Sequence, residues 1–87
     1  MDFEVIDRAG LTQSQFARLV DVSRVTVNTW VKGHYRPSQY VRGRVIRALE
    51  LIKQAHVEGK LPIRPGIQDE LLQKQLDRIA AKLSRGG

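Results

Sequence analysis

The stretch Leu11–Pro37, LTQSQFARLVDVSRVTVNTWVKGHYRP, decides how the rest of the chain is read. Its first part, residues 13–20, places Phe16, Ala17 and Val20 on one helical face, with a small alanine where a second helix must come close. Only Asp21, Val22 and Ser23 separate it from the next helical pattern, which leaves room for a sharp reversal and nothing else. Val22 supplies an apolar plug, Ser23 has the chemistry to cap the following helix, and Asp21 tolerates left-handed backbone better than most residues. Residues 24–32 are then sorted by advancing about 100° per residue from Arg24. Thr26, Val27, Trp30 and Val31 fall on one arc, and Arg24, Val25, Asn28, Thr29 and Lys32 on the other. The first arc is predicted to face the core, with Trp30 a packing residue. The second is predicted to face outward.

That outward arc holds a cation, an amide, a hydroxyl with its methyl group and a branched apolar side chain, and no acid. A solvated face would mix Glu with Lys and would gain nothing from Val25. The inventory suits base edges in a DNA major groove, where Arg donates twice to guanine, Asn pairs with adenine, and Val or a Thr methyl meets the thymine methyl. Arg24, Val25, Asn28 and Thr29 are therefore the candidate base-contacting residues.

Outside this stretch, glycine and proline punctuate the chain. Gly10, Gly33 and Gly59 each follow a helical pattern, where a left-handed C-terminal cap is expected, and Pro37 and Pro62 lie just beyond two of them. Strand signals are scarce. The expectation is an all-α, compact five-helix domain, with helices over residues 3–9, 13–20, 24–32, 39–58 and 68–84. Residues 1–60 form the DNA-binding unit, and residues 61–87 form a linker followed by a C-terminal helix. The linker 61–66, LPIRPG, contains a Pro-x-x-Pro spacing that reads as a stiff connector. In the fourth segment Val41, Val45, Ala48, Leu49, Ile52 and Ala55 share one face; Ile46, Leu51 and Val57 spill beyond it, and His56 is expected to pack inward. Gly43 would permit a close approach there. In the fifth, Leu72, Leu76, Ile79 and Leu83 form a narrow seam that fits one partner helix. Pairing with a second subunit is the favoured reading of that seam, making these four the candidate dimer interface.

The 87 residues are enough for one small domain, or for one domain with a docking tail. Without cysteine, disulfide scaffolds and thiolate metal sites are excluded, and the two histidines stand too far apart for a metal pair. Neither a metal nor a cofactor is expected. The formal charge is +6, with seven basic residues against two acidic within residues 34–64, an electrostatic footprint for a polyanion. No window approaches the roughly 20 apolar residues of a membrane span, so the expectation is a soluble, cytoplasmic, nucleoid-associated protein without membrane partners. No nucleophile, base and carboxylate arrangement suggests an enzyme.

Several residues of Leu11–Pro37 together resemble the helix-turn-helix domain of phage repressor and Cro-like regulators, the XRE family, whose fold is lambda repressor-like. They are Leu11 and Gln13 opening the second helix, Ala17 and Val20 within it, Val22-Ser23 at the turn, Val27 and Trp30 in the third helix, and Gly33 closing it. Asp21 stands where the family commonly has glycine. The resemblance implies that Gln13 contacts a phosphate and buttresses the third helix. It also implies backbone phosphate contacts from Ser23, Lys32, His34, Tyr35, Arg36 and Ser38. By this resemblance the chain is a sequence-specific double-stranded DNA-binding transcriptional regulator, a repressor acting as a homodimer on a pseudo-palindrome. Its first rival is an antitoxin or adaptor-type module, in which the fourth and fifth helices hold a protein partner and DNA contact is secondary. A second rival is an RNA or membrane-surface binder, which would bind salt-sensitively without base preference.

Overall fold

The computed structural model describes residues 1–62 and 69–85. Five helices follow one another, α1 (Glu4–Arg8), α2 (Gln13–Val20), α3 (Arg24–Val31), α4 (Gln39–Val57) and α5 (Asp69–Arg85), and no strand occurs among the described residues. The chain is all-α, as its sequence predicts, with helix ends that differ from expectation by a residue or so. The expected start of the last helix at Gln68 lies outside the described residues, as do Ile63, Arg64, Pro65 and Gly66 of the linker and thus most of the Pro-x-x-Pro segment.

The short helices are made by their ends. Thr12 Oγ1 accepts from the Gln15 amide at 3.1 Å while Gln15 Oε1 accepts from the Thr12 amide at 2.8 Å, a reciprocal cap that satisfies two otherwise orphan donors at the start of α2. α2 stops at Asp21, which takes the left-handed conformation (φ 57°, ψ 48°), and the Val22 amide returns to the Ala17 carbonyl at 3.0 Å. Ser23 Oγ then accepts from the Thr26 amide at 3.1 Å and opens α3. After α1 the turn needs glycine for two reasons. Gly10 has φ +72°, and a Cβ placed there would stand 2.7 Å from Cβ of Pro62.

One continuous core runs through all five helices. Phe3 links α1 to the α2–α3 pair: its ring meets Phe16 edge-on at 6.4 Å and stacks on Trp30 at 6.2 Å. α4 closes the core with Val45, Ala48, Leu49, Ile52 and Ala55. From α5, Leu76, Ile79 and Leu83 are buried in the same core, with Leu72 packed at its edge. Burial of each of Leu76, Ile79 and Leu83 stabilises by roughly 1.5–3 kcal/mol, which holds α5 on the body of its own chain. The seam read from sequence as a contact with a second subunit is thus occupied by α2 and α4 of the same molecule.

One packing expectation changes. Val31, assigned to the inward arc, is 43% exposed, because it sits at the edge of that arc close to the line of Arg24 and α3 ends on it. Leu51, outside the main stripe of α4, is buried because α5 lies against that side. Among the described residues nothing outside its own helix approaches Gly43: a Cβ there would meet no such atom within 4 Å. His56 is half-buried.

Candidate nucleic-acid interface

The candidate surface is assembled from the turn outward. Because Asp21, Val22 and Ser23 carry the reversal, α3 crosses α2 closely and is anchored by fully buried Val27 and by Trp30. Its first outward residues stand clear of the body. Arg24 is exposed and Val25 is 69% exposed, a large apolar side chain with nothing to cover it. Asn28 and Thr29, one turn on, are half-buried. Asn28 Nδ2 donates to Gln13 Oε1 at 3.0 Å, so the amide at mid-helix is held by the first residue of α2. That bond uses one of the two Asn28 amide protons and leaves its carbonyl oxygen and second proton for a base, while Gln13 keeps its own amide donors for a phosphate. Thr29 Oγ1 donates to the Thr26 carbonyl at 2.6 Å, which leaves mainly its methyl group to present outward. Ser23 Oγ caps the helix and also bonds Thr26 Oγ1 at 2.8 Å. The cap by Ser23 is the one its sequence position predicts, whereas the engagement of the Thr29 hydroxyl has no signal in the helical periodicity.

The loop after α3 supplies further cations and polar groups. The amides of His34 and Tyr35 both return to the Thr29 carbonyl, at 3.0 and 3.4 Å, so the loop is folded back on α3. Lys32, His34, Tyr35, Arg36 and Ser38 are all exposed. Ser38 is the N-cap residue of α4, and its hydroxyl makes no capping bond. With the Arg42 amide taken by the Ser38 carbonyl at 2.9 Å, the leading amides of α4 point out of the helix as an anion site does. Among the described residues, Arg24, Lys32 and Arg36 form no ion pair. A cleft of about 820 Å³ separates the loop from α1, floored by Ile6, Trp30 and Val31.

One basic residue leaves the footprint. Arg44 Nε donates to the Leu19 carbonyl at 3.1 Å, fastening the second turn of α4 to the last turn of α2. The carbonyl belongs to the unpaired set at a helix C-terminus, where a cation is also favoured by the helix dipole. Sequence counted Arg44 in the basic middle; a contact 25 positions apart has no local signal. If this surface binds duplex DNA, Arg44→Ala is expected to reduce affinity with the salt dependence of binding unchanged, because its guanidinium is spent on the Leu19 carbonyl. Titrations across a salt series check this, since removal of a phosphate contact would lower the slope of log K against log salt by about 0.9.

A tight turn, a capped second helix with an outward polar arc, and a cationic loop beside it define a helix-turn-helix DNA-binding domain. A family model described as Helix-turn-helix matches residues 4–51, more than half of the chain, and the protein belongs to this family in its XRE-type, Cro/CI-like branch. No curated protein and no solved structure matches the chain. The family is one of DNA-binding transcription regulators and not of enzymes. Among the described residues no helix is long and apolar enough to cross a membrane.

Proposed function

We propose that this regulator is a sequence-specific repressor that binds a pseudo-palindromic operator as a homodimer, each α3 lying in a major groove, in the bacterial cytoplasm at the nucleoid. The observation that carries this reading is the first turn of α3: Arg24 and Val25 exposed beside an Asn28 amide held by Gln13. A cation and an apolar group left uncovered next to a pre-oriented amide can discriminate bases, whereas a general phosphate binder needs only cations. Two such helices related by a twofold axis reach successive grooves about 34 Å apart. Gln13, Ser23, Lys32, His34, Tyr35, Arg36 and Ser38 are assigned to phosphates around them, and occlusion of polymerase is the mode of repression.

Affinities for a selected operator and for random duplex test the division of labour. Arg24→Ala should cost about 1–3 kcal/mol on the operator and relax preference at one base pair per half-site, while Arg36→Ala should weaken both duplexes alike. Equal losses on both duplexes for both variants would contradict the assignment of α3 to readout.

A further inference from the structure

The homodimer reading needs a contact surface, and the apolar seam of α5 is buried within its own chain. Of the apolar residues that spill beyond the inward stripe of α4, Leu51 is explained by α5, whereas Ile46 and Val57 remain 37% and 76% exposed. They lie on one line of the helix with Glu50 and Lys53, at spacings of four, three and four residues, the repeat by which one helix meets another. Among the described residues Glu50 forms one long ion pair, to Arg47 at 3.8 Å, and Lys53 forms none.

This line is complementary to itself when reversed. In an antiparallel pair centred midway between Leu51 and Ile52, Ile46 faces Val57 of the second copy and Glu50 faces its Lys53, and the twofold axis repeats both contacts. A parallel pair would set glutamate on glutamate and lysine on lysine. We infer that the outer face of α4, along Ile46, Glu50, Lys53 and Val57, is the surface on which a second copy of this chain docks, antiparallel. This rests on the homodimer reading and names its interface. The contact extends over roughly 16 Å of helix, three turns a side. An interface below the standard size binds weakly, so pairing is completed when two copies sit on adjacent half-sites.

Sedimentation equilibrium of the full chain at low salt tests the inference, with Glu50→Lys, Lys53→Glu and the double exchange. Each single change opposes like charges twice and is expected to weaken dimerisation about tenfold, and the double exchange to restore it to within about threefold of the parent. Val57→Asp, which leaves both charges in place, should weaken it by a similar factor, and thermal melting confirms that each surface variant remains folded. Dimers of unchanged strength in every variant, or single losses that the exchange does not restore, would overturn the inference and leave the homodimer reading standing. A parent chain that is monomeric both free and on a selected operator would overturn the two together.

Discussion

Leu76→Glu is expected to unfold much of the protein and not merely to separate subunits. Leu76 is 7% exposed, in the same core as Val20, Ile52 and Ala55, and α5 touches both α2 and α4. Truncating a buried leucine to alanine typically costs 2–5 kcal/mol, and a carboxylate placed there adds the cost of burying a charge that no basic partner in the core would offset. The core holds no buried polar or charged residue among those described. A chain of 87 residues has roughly 4–13 kcal/mol of stability in all, so the loss is a large part of it. Urea denaturation followed by circular dichroism should show the midpoint falling steeply, with helical signal lost at ambient temperature. A variant that keeps its parent midpoint and only loses dimer mass would place the α5 seam at a subunit interface after all.

The second large effect is at Phe16. Its side chain is fully buried, and through Phe3 it is connected to Trp30, the inward anchor of α3. Phe16→Ala removes the edge-on partner of Phe3 and leaves a cavity in the core, with an expected cost of about 3–5 kcal/mol. Operator affinity should fall even at temperatures where the variant is still folded, because α3 is oriented by the packing that is lost. Phe16→Leu, which retains most of the volume, should recover a good part of both losses. Thermal melting and operator titration on the two variants separate these effects.

Features set by neighbouring residues are legible in the sequence, and those set by distant elements are not. The turn was legible because it is local: Val22, Ser23 and the left-handed Asp21 are consecutive, and capping chemistry acts over three residues. Periodicity placed Val25 outward correctly because it lies well away from the buried line of Val27 and Trp30, and Arg24, nearer the border, is exposed at the first residue of α3. The same wheel failed for Val31, which falls at the border of its arc, where helix length and not angle decides exposure. It also could not show how the outward side chains are engaged. The Gln13–Asn28 bond, the Thr29 hydroxyl turned back on Thr26, and Arg44 on the Leu19 carbonyl depend on how close elements lie in space. The seam of α5 posed the hardest case. Leu72, Leu76, Ile79 and Leu83 have the same spacing whether the helix they meet belongs to the same chain or to another, and only the placement of α2 and α4 beneath them distinguishes the two.

The charge pattern divides in the same way. The excess of basic residues in 34–64 is a property of composition, yet the fold distributes it over different duties. Arg36 stands exposed in the loop after α3, Arg44 ties α4 to α2, Arg47 lies near Glu50, and Lys60 pairs with Glu58 at 3.5 Å. Counting cations along the chain overstates the number free to meet phosphate.

Whether α3 reads bases is tested most directly by selecting binding sites from random duplex DNA with the purified chain and with its Arg24→Ala variant. The account predicts a short motif enriched as an inverted repeat, its halves about one helical turn apart, and loss of preference at one position of each half in the variant. Recovery of unenriched sequence, or of the same motif with and without Arg24, would contradict it.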